Sequence, residues 1–111
     1  MKLLIMGPPG AGKGTQATIL AQKFNLVHLS TGDILRKEID RNSEVGLKAQ
    51  TYMNAGNLVP DEVLLEMMNS TLTELKDVGV ILDGFPRTIP QADGLSKIFQ
   101  SLNQDIDAII N

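Results

Sequence analysis

Short apolar runs alternate along the chain with segments in which apolar residues recur at helical spacing. The runs have the length of buried β-strands, and they lie at residues 2–6, 26–29, 79–83 and 106–110. After the first run, one face of a predicted helix is formed by Ala17, Leu20, Ala21 and Phe24. This alternation of strands with helices predicts an α/β layer fold with a mostly parallel sheet.

Three further helical patterns lie between the second and third runs, with no strand pattern among them. The first begins at the cap-type residues Ser30 and Thr31 and continues to about Arg41, and the last begins at Pro60. This connection is longer than a crossover between parallel strands needs, and it predicts a helical substrate-binding insertion. A final helix is capped by Thr88, and its predicted inner face is Ala92, Leu95, Phe99 and Leu102.

Composition narrows the classes of protein to consider. The chain has 111 residues, which suits one domain, and its net charge of −3 argues against a general binder of nucleic acids or anionic membranes. No apolar stretch approaches the ~18 residues of a membrane span, and Met1 leads directly into a strand, so no secretory signal is expected. Zero cysteines are compatible with a reducing compartment. We therefore predict a cytoplasmic protein with no nucleic-acid or membrane partner.

The first strand leads directly into a glycine-rich loop at residues 7–15, GPPGAGKGT, and a helical pattern follows at once. A phosphate-binding loop requires this order, because glycines let backbone N–H groups face phosphate oxygens and the helix N-terminus favours the same anion. Lys13 adds a mobile positive charge. The pattern G-x-x-x-x-G-K-[ST] is met except that Gly14 takes the Ser/Thr place and Thr15 follows it. This departure weakens the prediction that a loop hydroxyl binds Mg²⁺ directly.

Polar clusters follow three of the predicted strands: the loop at 7–15, residues 30–33 and residues 83–87. Ligands of parallel sheets bind outside the carboxyl ends of the strands, so we expect the three clusters to meet at one edge. His28, the only histidine, lies inside the second strand. We interpret it as a residue placed by strand packing, because no second histidine or carboxylate neighbours it in sequence.

The stretches GPPGAGKGT at 7–15, STGDILR at 30–36 and LDGFPRT at 82–88 occur together in this order. With them, the whole chain resembles the N-terminal half of an adenylate kinase, in the nucleoside monophosphate kinase family. The resemblance implies a P-loop three-layer α/β/α fold with four of the family's five strands, in the order 2-3-1-4. It also implies a single truncated kinase core over 1–111, with a helical AMP-binding insertion at about 30–59 and without the lid and the C-terminal core.

The activity implied by the resemblance is the reversible reaction ATP + AMP = 2 ADP, with Mg²⁺ as cofactor. Phosphoryl transfer asks the protein mainly for positioning and charge stabilisation. Lys13, Arg87 and Asp83 would be the catalytic residues, with Lys13 on the β- and γ-phosphates and Asp83 orienting Mg²⁺ through water. The ATP phosphates would be bound by Gly10, Ala11, Gly12, Lys13, Gly14 and Thr15.

The resemblance also implies a second nucleotide site, for AMP. Arg36 and Arg87 would clamp its phosphate, because a planar, two-pronged donor suits phosphate better than a lysine does, and Gln91 would read the adenine edge. In the similar UMP/CMP kinases the places of Thr31 and Gln91 are usually alanine and asparagine, so both residues favour AMP. The implied AMP-binding residues are Thr31, Arg36, Asn57, Leu58, Val59, Gly84, Phe85, Pro86, Arg87 and Gln91.

Members of the family are much longer than this chain, so we expect the 111 residues alone to bind nucleotides weakly and to be weakly active or inactive. The last strand would be an exposed apolar edge through which the fragment self-associates, whereas a full-length member is expected to be a monomer. Two alternatives stay open. One is a non-catalytic nucleotide-binding half-protein that needs a complementing C-terminal part. The other is a related kinase that phosphorylates a different small molecule.

Overall fold

The computed structural model of the chain describes residues 1–7 and 12–110. These residues form a parallel sheet of four strands in the order β2-β3-β1-β4, flanked by five helices. The strands are β1 (Lys2–Ile5), β2 (Val27–Ser30), β3 (Val80–Asp83) and β4 (Ala108–Ile110). The predicted α/β class and strand order are confirmed, and the sheet is parallel throughout its described pairs. The second and fourth strands are shorter or shifted relative to the apolar runs that predicted them.

The helices lie where the helical patterns predicted them. Their bounds are α1 (Lys13–Phe24), α2 (Thr31–Asp40), α3 (Glu44–Asn54), α4 (Asp61–Glu74) and α5 (Ile89–Ser101). Asn25 ends α1 in the left-handed conformation (φ 55°, ψ 52°), and the Ser30 and Thr88 hydroxyls accept the capping hydrogen bonds that begin α2 and α5. Local sequence chemistry therefore determines where these helices begin and end.

Two apolar clusters cover the two faces of the sheet, because successive residues of a strand point to opposite faces. Helix α1 covers one face, where the buried residues are Leu3, Ile5, Ala17, Leu26 and Ile81. The opposite face carries the larger cluster beneath α4 and α5, which includes Leu4, Met67, Met68, Leu72, Val80, Leu82, Leu95 and Phe99. The three layers of the predicted α/β/α architecture follow from this arrangement.

Two predicted core positions are wrong. Phe24 is 44% exposed at the end of α1, and Ala92 is exposed on α5. The inner face of α5 is formed instead by Gln91, Leu95, Ile98 and Phe99, so the stripe starts one residue earlier than expected. The reason is that Gln91 turns its amide towards α4, where Asp61 accepts a hydrogen bond from it.

Helices α2, α3 and α4 follow one another with no strand between them in the described residues, as the sequence predicted. The division of the chain into a core and an insertion at about 30–59 stays a prediction. Strand β4 is an outer strand of the sheet, and its Ile109 is 60% exposed. Self-association through this strand also stays a prediction. Among the residues with a described structure, no helix is long and apolar enough to cross a membrane.

Candidate functional site

Three strands end together at the carboxyl edge of the sheet. The register pairs Asp83, the last residue of β3, with Ser30 on one side and Ile5 on the other. Helix α1 begins beside this edge at Lys13, directly after Gly12, whose φ of 79° suits glycine. The structure thus brings the described part of the loop at 7–15 and the other two polar clusters to one rim.

Asp83 is contacted by side chains from two different elements. Its Oδ1 lies 2.6 Å from the Nζ atom of Lys13, and its Oδ2 lies 2.9 Å from the Nε2 atom of His28. The side chains of Lys13 and Asp83 are 12% and 13% exposed. Burial raises the pKa of the Asp83 carboxyl, but Lys13 and His28 together outweigh burial, and the pKa lies below its ordinary value. The carboxylate is therefore charged at neutral pH.

The contact of His28 with Asp83 corrects the interpretation of His28 as a residue placed by packing alone. The two residues are 55 positions apart, so the sequence around His28 shows no partner. The register pairs His28 with Ile81, and Asp83 lies two residues further along β3 on the same face of the sheet. The strand order together with this register is the signal that could have found the contact.

A cavity of about 370 Å³ opens at the same edge. Five residues of the predicted AMP site line it, namely Thr31, Gly84, Phe85, Arg87 and Gln91. The structure adds four residues to this wall that the prediction did not assign to AMP: Ser30, Gly32, Leu64 and Asp83. Leu64 comes from α4, and its apolar side chain belongs to none of the three polar clusters that the sequence identified. The cavity therefore lies between the carboxyl edge of the sheet and helices α2 and α4.

Gly84 brings two cations to the wall of this cavity. Its φ of 76° belongs to the left-handed region, and a Cβ there would lie 2.8 Å from Nη2 of Arg87 and 3.3 Å from Nζ of Lys13. The Nε atom of Arg87 donates a hydrogen bond of 2.6 Å to the carbonyl oxygen of Gly84. A glycine at this turn therefore permits Lys13 and Arg87, which belong to the two predicted nucleotide sites, to approach the same point.

Gln91 is 7% exposed and joins the turn after β3 to helix α4. Its Oε1 accepts a hydrogen bond of 2.8 Å from the backbone N–H of Arg87, and its Nε2 donates one of 2.7 Å to Oδ1 of Asp61. An amide has two donor hydrogens and two acceptor sites, so one of each stays available towards the cavity. Sequence reasoning did not identify Asp61, because its partner is 30 residues away.

The other predicted AMP residues lie outside the cavity wall. Arg36 has 70% of its side chain exposed and forms an ion pair of 2.5 Å with Asp33, although its guanidinium also lies against Gly32 of the wall. In the connection before α4, Asn57 and Leu58 are exposed, and Val59 packs against the core. Pro86 follows Phe85 through a cis peptide bond. The structure thus brings together about half of the predicted acceptor site.

The predicted ATP residues lie partly outside the described structure. Gly10 and Ala11 belong to the residues that the structure does not describe. Gly12 precedes α1, while Lys13, Gly14 and Thr15 form its first turn. Gly12, Gly14 and Thr15 are exposed, and Lys13 is turned towards Asp83. Their backbone N–H groups therefore lie at a helix N-terminus, where anions bind.

The comparison with known families agrees with this geometry. The family model described as "Adenylate kinase" matches residues 5–111. The chain belongs to the adenylate kinase family. Similar proteins include the adenylate kinases of Methanothrix thermoacetophila, Methanocella arvoryzae and Chloroherpeton thalassium, which are 50%, 47% and 48% identical over 100% of this chain. The chain spans about half the length of these curated relatives, namely 52% of each.

The cofactor expected of an adenylate kinase is Mg²⁺, and the residues at the rim fit it in one particular way. The described residues contain no cluster of three or more histidine, cysteine or acidic side chains that could hold a metal ion. Asp83 supplies one charged carboxylate, whose Oδ1 accepts no aligned hydrogen bond from the described residues. Mg²⁺ commonly keeps several waters and is bound through one or two carboxylates together with substrate phosphates. A single carboxylate beside a phosphate-binding loop suits this mode.

Proposed function

We propose that this chain forms the part of an adenylate kinase that binds both nucleotides, and that the whole protein catalyses ATP + AMP = 2 ADP. The observation that carries the proposal is the approach of Lys13 and Arg87 to Gly84 at the cavity wall. One cation begins the helix after a phosphate-binding loop, and the other lines the cavity. Two phosphate-binding groups that meet at one point are what transfer between two nucleotides requires.

On the donor side, the phosphates of ATP would be bound by residues 10–15, through the backbone N–H groups at the start of α1. Lys13 would leave Asp83 and bind the β- and γ-phosphates, because its ammonium lies at the end of a flexible side chain. When bound, Mg²⁺ neutralises charge that develops on the phosphates. Asp83 would hold Mg²⁺ through water, because this ion gives up its waters reluctantly. The lowered pKa of Asp83 keeps its carboxylate charged at the pH where the nucleotides are ionised.

On the acceptor side, AMP would occupy the cavity of about 370 Å³. Arg87 lines the cavity, and Arg36 would turn from Asp33 to complete the clamp on the AMP phosphate. Gln91 would use its remaining amide donor and acceptor on adenine, beside Thr31, Gly84 and Phe85. The segment 57–59 would contact AMP only after the insertion moves towards the sheet, because none of its residues lines the cavity now. A cytoplasmic location belongs to the same proposal.

The direct test joins the chain to the C-terminal part that the relatives have beyond the matched residues. A chimaera would join this chain to the C-terminal half of the Methanothrix thermoacetophila adenylate kinase, which is 50% identical over the shared part. We expect the chimaera to form ADP from Mg²⁺, ATP and AMP, and to form much less product with UMP, CMP or shikimate as acceptor. The 111 residues alone should bind ATP and AMP but turn over little.

A matched control separates this function from the two alternatives. The chimaera with Lys13→Met keeps the length of the side chain and loses its charge, so ADP formation should fall to background. Nucleotide binding by a chimaera that forms no ADP would favour a non-catalytic binding module. Faster turnover of UMP, CMP or shikimate than of AMP would overturn the assignment of the acceptor.

A further inference from the structure

Both oxygens of the Asp83 carboxylate are contacted by side chains, and the two contacts differ in kind. Lys13 reaches Oδ1 from the first turn of α1, at the end of a flexible aliphatic chain. His28 reaches Oδ2 from the middle of β2, which is hydrogen-bonded to β3 in parallel register. Lys13 can move without disturbing the sheet. His28 is fixed, because it belongs to β2, which pairs with the strand that carries Asp83.

In the proposed function, on which this inference rests, Lys13 binds the phosphates of ATP. The Lys13 ammonium has three N–H donors at the end of a flexible chain, and in the proposed function it would turn from Asp83 towards the β- and γ-phosphates of ATP, so the ion pair of 2.6 Å would open when the donor nucleotide binds. Asp83 would then lose one of its two side-chain contacts when its carboxylate has to hold the hydrated Mg²⁺. Within the described residues, the other side-chain contact to this carboxylate comes from His28.

We propose that His28 is a positioning residue for Asp83 in the nucleotide-bound protein. Its Nε2 donates a hydrogen bond to Oδ2, which leaves Oδ1 as the oxygen that Lys13 vacates and that would face the water shell of Mg²⁺. The imidazole suits this task because it is rigid beyond two torsion angles and is anchored on a strand. Replacing the hydrogen-bond partner of a ligating side chain typically costs about 10- to 100-fold in metal affinity, and we expect the lower end of that range here because Asp83 would hold Mg²⁺ through water.

We expect the hydrogen bond between His28 and Asp83 to have little effect before the nucleotide binds. In the structure, Asp83 is held by Lys13 as well, and His28 keeps 30% of its side chain exposed on a strand at the edge of the sheet. Replacing His28 should therefore disturb the nucleotide-free protein little. Its effect should appear in the gain in ATP affinity that Mg²⁺ provides.

The test measures ATP binding to the 111-residue chain by isothermal titration calorimetry, with and without Mg²⁺. His28→Leu fills the space without a donor, and His28→Gln places an amide nitrogen where Nε2 stands now. We expect His28→Leu to reduce the Mg²⁺-dependent gain in affinity on the order of tenfold, with the metal-free affinity unchanged. His28→Gln should restore most of the gain. The spectrum of Mn²⁺ bound with ATP, measured by electron paramagnetic resonance, should change in the Leu variant and revert in the Gln variant.

The outcomes separate this proposal from the proposed function. Equal Mg²⁺-dependent gains in the Leu and Gln variants would overturn the role of His28 and leave the nucleotide site intact. Absence of any ATP binding by the unaltered chain would overturn both. If His28→Leu proved too unstable to measure, His28→Asn provides the same comparison with Gln, because its amide nitrogen is one bond too short to reach Oδ2. A gain as large with Asn as with Gln would then contradict the proposal.

Discussion

The two edges of the parallel sheet each have a lysine, an aspartate and a cavity, yet their lysines are held differently. At the carboxyl edge, Lys13 forms an ion pair with Asp83 beside a cavity of about 370 Å³. At the amino edge, a cavity of about 310 Å³ is lined by Lys2 and Asp107. Cavity size and residue type are therefore similar at the two edges and do not distinguish a functional site from a structural one.

The partners of the two lysines do distinguish the edges. Lys2 is 5% exposed, and its ammonium donates hydrogen bonds to the carbonyl oxygens of Leu75 (3.0 Å) and Val78. These backbone acceptors are fixed, and losing Lys2 would leave two partly buried carbonyl oxygens without their donor. Lys13 has a side-chain carboxylate as its partner at an open cavity wall, so a phosphate can replace that partner. A lysine with exchangeable partners is suited to function, and one with backbone partners is suited to stability.

The contrast between the two edges is tested most strongly by replacing Lys13. Lys13→Met removes a charge-assisted contact worth about 1.5–3 kcal/mol, so ATP affinity should fall by about 10- to 100-fold. The free energy of unfolding should change by about 1 kcal/mol or less, because Asp83 keeps its hydrogen bond to His28. Calorimetric titration with ATP and urea unfolding measure the two quantities. Unchanged ATP affinity with a large loss of stability would assign Lys13 a structural role.

The same substitution at the other edge should give the reverse pattern. Lys2→Met keeps the aliphatic stem but removes the donor for two carbonyl oxygens, which should lower the free energy of unfolding by about 1–3 kcal/mol. ATP affinity should not change, because Lys2 lies at the opposite end of β1 from the phosphate-binding loop. Urea unfolding and calorimetry on the same samples check both halves. Weakened ATP binding at equal folded fraction would contradict the separation of the two edges.

The distinction between the two edges shows what the sequence could and could not predict. Buried parallel strands read as apolar runs, so the runs that became β1 and β3 were located nearly to the residue. The caps at Ser30 and Thr88 were predictable because their hydroxyls bond to groups three residues away. A phosphate-binding loop can be predicted for the same reason, since the loop, its lysine and the following helix are contiguous, and phosphate binding itself stays a prediction.

Contacts between distant residues were not predictable in this way. The bond between His28 and Asp83 needs the strand register, and the bond between Gln91 and Asp61 needs the packing of α5 against α4. The ion pair of Arg36 with Asp33 is a different case, because the two residues are only three positions apart on α2 and helical spacing alone brings them together on its exposed side. Side-chain direction depends on neighbours that the local pattern does not specify. The resemblance to a family supplied the strand order, which the apolar runs alone did not determine.

A smaller effect should appear in the dependence of stability on pH. Burial lowers the pKa of Lys2 below 10.5, although the charges of Asp77 and Asp107 oppose the shift. Between that lowered pKa and 10.5, the unfolded chain binds more protons than the folded one, so the free energy of unfolding gains a contribution that rises with pH. Urea unfolding at a series of pH values approaching 10.5 should show this contribution in the unaltered chain and not in Lys2→Met. Identical slopes in the two proteins would show that Lys2 binds its proton equally in both states.

The smallest expected effect tests which partners hold Lys2. The backbone N–H of Lys2 donates a hydrogen bond of 2.6 Å to Oδ2 of Asp107. Asp107→Asn keeps an acceptor oxygen and removes only the charge, so the free energy of unfolding should fall by less than about 1 kcal/mol. Asp107→Ala also removes the acceptor and should cost about 1–3 kcal/mol, because the N–H group then lacks its partner. A loss in Asp107→Asn as large as in Asp107→Ala would mean that charge rather than hydrogen bonding fixes this edge. Lys2 would then resemble Lys13, and the contrast between backbone and side-chain partners would no longer explain why one edge is structural.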